Sequence, residues 1–197
     1  MSIEAYILVG GKSSRFGSDK TLAKIEGQTL PGRAHTTMCD AFGAERVFFV
    51  AGDPESFASE AVRLNALFVY DVIQDRGPVG GLYTALTHAS TDWIFLFACD
   101  LPDVTWLYVS MLKDKISEHY GVVVPEQDDG RLQPLCAFYN VAKARPVVRE
   151  LTQRDGKPPA MMAVIDGLDA SIAKAAEFIT TPPVVWTNVN HPTDIDK

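Results

Sequence analysis

The chain of 197 residues is long enough for one well-buried domain, and 47% hydrophobic with 22% charged residues is typical of a globular protein. A net charge of −7 argues against nucleic acid or an anionic membrane as the main partner. No apolar run approaches the roughly 20 residues of a spanning helix, and the first residues lack the pattern of a signal peptide. We therefore expect a cytoplasmic monomer with no nucleic-acid or membrane partner.

Short apolar runs alternate with segments of helical length through most of the chain. The runs are continuously apolar, as expected for parallel strands that are covered on both faces. The predicted strands are Ala5 to Val9, Val47 to Val50, Leu67 to Tyr70, Trp93 to Ala98 and Val122 to Val124. The predicted helices are Leu30 to Phe42, Pro54 to Leu64, Gly81 to Ala89 and Val104 to His119. This alternation predicts an α/β fold with a single doubly wound, mostly parallel, Rossmann-like sheet and helices on both faces.

Two glycines, Gly10 and Gly11, follow the first predicted strand and open a polar loop. From Lys12 to Lys24 the chain carries four cations and one acid, a local balance of +3. The backbone amides of a glycine-rich loop can face an anion, so we predict a phosphate-bearing ligand. The loop is not a Walker A motif, because Tyr6 stands where its first glycine is required, and the glycines do not follow G-x-G-x-x-G.

The segment L-x-G-G-K-S-S-R-F-G-S-D-K-T-L-A-K-I-E-G resembles the opening signature of the molybdenum cofactor guanylyltransferases, a family of nucleotidyltransferases. In this resemblance Arg15 supplies a bidentate fork and Lys20 a point charge to the triphosphate of GTP. The alternative is a surface turn with solvated cations. The resemblance implies a nucleotide contact for Leu8, Val9, Gly10, Gly11, Ser13 and Lys20.

The stretch that begins at Asp71 resembles the D-x(several)-G-P-L-x-G segment of the same family. An acid at a strand end can accept hydrogen bonds from sugar hydroxyls or base N–H groups, and a glycine such as Gly81 lets the backbone pass close to a flat ring. We therefore expect Asp71 and Gly81 to contact the nucleotide. A plain turn followed by a helix start is the alternative.

Asp100 ends the apolar strand Trp93 to Ala98 and lies in a C-D-x-P sequence that resembles the metal-binding motif of the family. A carboxylate in this place is a hard oxygen ligand that can share Mg²⁺ with triphosphate oxygens and water. We predict Asp100 as the Mg²⁺ ligand. The alternative is that Asp100 caps the helix that Pro102 announces, a role that Asp103 could also fill.

The last third of the chain has weaker signals. Pro134 lies in a Q-P-L sequence that the family resemblance assigns to the acceptor side of the cleft, and a hairpin-like addition to the sheet is a compatible interpretation. Asn188 and Asn190 resemble the N-x-N-x-P ending of the family, which implies a role near the pterin. The same asparagines could instead tie down the end of the chain.

Together these features predict one nucleotidyltransferase domain over residues 1–197, with a nucleotide-binding half at 1–103 and an acceptor-binding half at 104–197. The expected reaction transfers GMP from GTP to molybdenum-loaded molybdopterin and releases pyrophosphate. Other proteins of molybdenum cofactor biosynthesis are expected as transient partners. A CTP-dependent pterin enzyme, a sugar-phosphate enzyme and a regulatory module without turnover remain as alternatives.

Overall fold

The computed structural model describes residues 1–9, 24–52, 54–174 and 177–178. Its strands are β1 Ile3–Leu8, β2 Lys24–Ile25, β3 Gln28–Thr29, β4 Val47–Ala51, β5 Leu67–Tyr70, β6 Trp93–Ala98, β7 Val122–Glu126, β8 Cys136–Asn140 and β9 Ala170–Lys174. Its helices are α1 Leu30–Phe42, α2 Pro54–Leu64, α3 Gly77–His88, α4 Trp106–Lys113, α5 Val141–Gln153 and α6 Met161–Asp166. None of the helices within these ranges combines the length and apolar character that a membrane crossing requires.

Seven strands form one sheet in the order β5-β4-β1-β6-β8-β7-β9, while β2 and β3 form a separate hairpin. β1 pairs in parallel with both β4 and β6, and β8 is the antiparallel strand, lying between β6 and β7. The predicted mostly parallel, doubly wound α/β sheet is therefore confirmed.

The sheet is covered on both faces, which explains why its central strands are apolar at every position. Side chains of α1, α2 and α4 pack on one face together with Phe95 and Phe97 of β6. Side chains of α3, α5 and α6 pack on the other face together with Ile94 and Leu96 of the same strand. All six residues of β6 are buried, as expected for a central strand that alternates its side chains between two cores.

The structure differs from the sequence-based prediction mainly after residue 100. α4 ends at Lys113 rather than His119, because hydrogen bonds between residues three positions apart, such as Lys115 N to Leu112 O at 3.1 Å, replace the helical pattern after Asp114. The second extended segment of the predicted hairpin becomes β8, which is an internal strand because it pairs with β6 as well as with β7. The last strand, β9, pairs in parallel with β7 and was not predicted.

A polar cluster fixes the beginning of α1 against α2. The hydroxyl of Thr29 accepts a hydrogen bond from Gly32 N at 3.1 Å and donates one to Glu60. Arg63 donates to both oxygens of the same carboxylate, at 2.7 and 2.6 Å. Hydrogen bonding from Arg63, opposed by burial and assisted by Thr29, holds the pKa of Glu60 below its usual value.

A carboxyl whose pKa is lowered by folding stabilises the protein above its unfolded-state pKa, and this contribution is lost as the pH falls through the folded-state pKa. We therefore expect Glu60→Gln to lower the stability at pH 7 and to reduce the loss of stability between about pH 5 and pH 3. Urea unfolding at several pH values measures both effects. Glu45→Gln is the matched control, because Glu45 is exposed and its nearest paired cation, Arg46, lies 3.8 Å away. An unchanged pH dependence in Glu60→Gln would contradict the prediction.

Candidate active site

The carboxyl ends of β5, β4, β1 and β6 lie side by side at one edge of the sheet. Leu8 at the end of β1 pairs with Val50 of β4 and with Ala98 of β6. The chain leaves β1 toward β4 and later crosses from β5 to β6, on the other side of β1. The direction of winding thus reverses between β1 and β6, the place where open α/β sheets bind their ligands.

Asp71 follows β5 at this edge and is held by two neighbouring elements. Its backbone N–H donates to Ala51 O at 3.0 Å, and its carboxylate accepts from the hydroxyl of Thr84 in α3 at 3.0 Å. The same hydroxyl accepts from Val72 N at 3.1 Å. Burial raises the pKa of Asp71, and the hydrogen bond from Thr84 opposes that rise. The geometry fixes the carboxylate at the end of the strand.

Two glycines lie at this edge of the sheet, Gly52 next to Asp71 and Gly81 next to Leu8. A Cβ atom at Gly52, just after β4, would lie 3.4 Å from Oδ2 of Asp71. A Cβ atom at Gly81 would lie only 2.7 Å from Cδ2 of Leu8, so Gly81 allows α3 to approach the end of β1. In the structure Gly81 packs against Leu8. Val9, the residue after Leu8, is 3% exposed and belongs to the adjoining core. The nucleotide contacts of Leu8, Val9, Asp71 and Gly81 stay predictions.

Asp100 lies two residues beyond β6 and is partly buried. The helix that follows, α4, is capped by Thr105, whose hydroxyl accepts from Tyr108 N at 3.3 Å. Neither Asp100 nor Asp103 therefore has the capping role that the sequence left open. Pro102, next in the loop, accepts a hydrogen bond through its carbonyl from Nε of Arg33 at 3.1 Å.

Asp100 could contribute to a metal site only together with ligands from outside the described side chains. Over residues 1–9, 24–52, 54–174 and 177–178, His, Cys, Asp and Glu side chains form no group of three or more that could hold an ion. A single carboxylate suits Mg²⁺, which usually keeps several waters and takes one or two carboxylates together with substrate phosphates.

Pro134 lies at the same edge, because β8 runs antiparallel to β6 and begins where β6 ends. The register is fixed by the hydrogen bond from Ala98 N to Leu135 O, at 2.8 Å. Pro134 is buried, and its carbonyl accepts from the hydroxyl of Tyr139 at 2.8 Å. The structure thus brings Asp71, Asp100 and Pro134 to one edge of the sheet, while the role of Pro134 toward an acceptor stays a prediction.

The remaining predicted site residues lie outside the described residues; they are Gly10, Gly11, Ser13, Arg15, Lys20, Asn188 and Asn190. The sequence analysis overlooked Thr84 and Gly52, which surround Asp71. Nothing in the local sequence marks Thr84, because its hydroxyl meets Asp71 across 13 positions. Gly52 carries a weak signal, since it follows an apolar strand directly.

Comparison with known proteins identifies the class. The molybdenum cofactor guanylyltransferase of Desulfosudis oleivorans is 30% identical over 153 residues, covering 77% of this chain and 72% of that protein. Molybdopterin-guanine dinucleotide biosynthesis protein A from Archaeoglobus fulgidus has the same fold, with a TM-score of 0.80, 20% identity and coverage of 98% and 95%. The 4-diphosphocytidyl-2C-methyl-D-erythritol synthase of Anaerococcus prevotii also shares it, with a TM-score of 0.72, 10% identity and coverage of 99% and 93%.

The sheet order, the carboxyl-end site and these relatives define a nucleotidyltransferase. The profile of the MobA-like NTP transferase domain matches residues 5–187. The chain belongs to this family.

The contribution of the Thr84 hydroxyl to stability can be tested with valine, which has nearly the same shape but no hydroxyl. We expect Thr84→Val to destabilise the protein by about 1–3 kcal/mol, because it removes the acceptor of Val72 N–H and the donor to Asp71. Thr84→Ser keeps the hydroxyl and is the control. Urea unfolding at pH 7 measures the difference, and a Thr84→Val protein as stable as Thr84→Ser would show that these hydrogen bonds contribute little.

Proposed function

We propose that this protein transfers GMP from GTP to the phosphate of molybdenum-loaded molybdopterin and releases pyrophosphate. The observation that carries the proposal is the guanylyltransferase relative that aligns with 77% of the chain. Asp71 and Asp100 follow two strands that end at the same sheet edge. The A. prevotii 4-diphosphocytidyl-2C-methyl-D-erythritol synthase is 10% identical and shares only the fold, so it does not favour CTP.

The nucleotide would lie across the carboxyl edge of the sheet. The ends of β5 and β6 are three strand positions apart, or about 14 Å at about 4.8 Å per strand. This span suits an extended nucleoside triphosphate with its base or ribose at Asp71 and its phosphates between β1 and Asp100. Asp71 would accept hydrogen bonds from base N–H groups or sugar hydroxyls.

The reaction brings together two anions, so the main demands are charge neutralisation and alignment. An oxygen of the acceptor phosphate attacks the α-phosphorus of GTP, and the bond from that phosphorus to the bridging oxygen breaks, releasing pyrophosphate. The acceptor needs no strong base, because the second pKa of a phosphate monoester is about 6. Arg15 and Lys20 would hold the triphosphate and stabilise the charge that develops on it.

Asp100 fits a Mg²⁺ ligand, because it is a partly buried carboxylate at this edge of the sheet and Mg²⁺ usually takes one or two carboxylates together with substrate phosphates. Bound there, the ion would neutralise charge on the triphosphate and the acceptor. Asp100 would hold the positive charge of the ion at the end of β6.

The two halves of the chain would then divide the substrates. Residues 1–103 would bind GTP, and residues 104–197 would bind the molybdopterin acceptor as parts of one domain. Pro134, Asn188 and Asn190 are the proposed acceptor-side residues. We also propose transient contact with other proteins of molybdenum cofactor biosynthesis, which would supply the acceptor.

Nucleotide choice is tested by pyrophosphate release with purified protein, Mg²⁺ and molybdenum-loaded molybdopterin, comparing GTP, CTP, ATP and UTP. We expect release with GTP. Release with CTP alone would overturn the base preference and keep the reaction class. Tight GTP binding without release of pyrophosphate from any nucleotide would support the regulatory-module alternative.

Two charged residues should affect turnover strongly. We expect Lys20→Ala and Asp100→Asn each to lower kcat about 100-fold or more, by analogy with the loss of one electrostatic donor in other active sites. The residual activity of Asp100→Asn should also respond less to Mg²⁺ concentration. Asp103→Asn, an exposed acid in the same loop, is the control. Full activity in Lys20→Ala, or an unchanged Mg²⁺ response in Asp100→Asn, would remove that residue from the proposed mechanism.

A further inference from the structure

We propose that Arg33 is a positioning residue that connects the β2–β3 hairpin to the loop carrying Asp100. The hairpin follows the cationic segment that contains Arg15 and Lys20. Arg33 would thus set the position of the chain after the triphosphate-binding cations relative to Asp100. This inference rests on the proposed function for its kinetic consequence, but the contacts themselves are independent of it.

The Arg33 side chain makes two contacts in different directions. Its Nε donates to the carbonyl of Pro102 at 3.1 Å, and its Nη1 donates to Oε2 of Glu26 at 2.9 Å. The guanidinium is planar and presents its donors in a fixed geometry, so one side chain can determine the relative position of both partners. Lysine has a single rotatable ammonium group and cannot reproduce this arrangement.

On the hairpin side, Arg33 supports a turn with uncommon backbone angles. Glu26 and Gly27 connect β2 to β3 and have φ values of 51° and 82°. Positive φ is expected in a two-residue hairpin turn, but it is uncommon for a residue other than glycine. The ion pair with Arg33 connects this turn to α1. The far end of the hairpin, Thr29, is fixed separately by Glu60 and Arg63.

On the Asp100 side, Arg33 holds the loop from the outside while apolar residues hold it from within. Leu101 and Val104 are each 3% exposed, and Val104 N donates to Leu101 O at 3.4 Å. The carbonyl of Pro102 points toward α1 and receives the hydrogen bond from Arg33. Asp100 lies two residues before Pro102, so Arg33 anchors the loop backbone that carries this carboxylate.

Because the Arg33–Glu26 pair is exposed, we expect the loss of Arg33 to change the geometry of the site more than it changes the free energy of unfolding. The side chains of Arg33 and Glu26 are 31% and 79% exposed, and exposed ion pairs contribute little to folding. A displacement of about 1 Å in an active site can lower turnover about 100-fold. We therefore infer that loss of Arg33 changes kcat more than it changes stability.

The test compares Arg33→Ala, Arg33→Lys and Glu26→Gln with the control Arg145→Ala. Arg145 also donates its Nε to a carbonyl, that of Leu86 at 2.8 Å, but it connects α5 to α3 on the opposite face of the sheet. We expect kcat to fall about tenfold or more in Arg33→Ala, with KM for GTP changed less than about threefold. Arg33→Lys and Glu26→Gln should lie between Arg33→Ala and the wild type, and Arg145→Ala should keep the wild-type kcat.

Amide hydrogen exchange of the same proteins without substrate supplies a readout that does not need turnover. In Arg33→Ala we expect faster exchange at the hairpin and at Val104, and unchanged exchange in β6. Wild-type kcat in Arg33→Ala, an equal loss in Arg145→Ala, or unchanged exchange at either the hairpin or Val104 would overturn the inference. If the wild-type protein itself releases no pyrophosphate, the proposed function fails. The hydrogen-exchange data would still show whether Arg33 connects the β2–β3 hairpin to the loop that carries Asp100.

Discussion

The parallel pairing of β1 with both β4 and β6 is the constraint on which the rest of the structure depends. It places β1 inside the sheet, where Ala5, Tyr6 and Ile7 are fully buried, and it brings the end of β1 next to the end of β6. Helices must then cover both faces, because every central strand exposes apolar side chains in both directions. Asp71 follows β5 and Asp100 follows β6, at the edge where the parallel strands end.

Polar groups at that edge are held by contacts from helices on opposite faces of the sheet. Thr84 of α3 holds the carboxylate of Asp71, and Arg33 of α1 holds the loop after Asp100. Neither Thr84 nor Arg33 is among the residues that we propose to contact the phosphates. A preorganised site needs such support, because its charged groups lose much of their effect when they are misplaced. The site therefore depends on the packing of both helical layers.

Most elements among the described residues up to 100 could be predicted closely, because their signals are local, although α3 begins at Gly77 rather than Gly81 and the β2–β3 hairpin was not predicted. The helices Leu30–Phe42 and Pro54–Leu64 begin with proline in the first turn, and their bounds agree with the prediction. Asp71 and Asp100 could be singled out as candidate site residues because each follows a short apolar strand. After residue 104 prediction was poorer, since β8 joins the sheet between two strands that precede it in the chain, and no local pattern specifies that pairing.

The sequence by itself determined the α/β alternation, the family signature around Gly10 to Lys20 and the placement of acids at strand ends, because each of these depends on residues close together in the chain. Only the tertiary structure decided which strands neighbour each other and which side chains support the acids. The bond between Arg33 and Pro102 spans 69 positions, and that between Thr84 and Asp71 spans 13. Such pairs form only after the helices pack on the sheet, so their partners follow from packing geometry and not from sequence pattern.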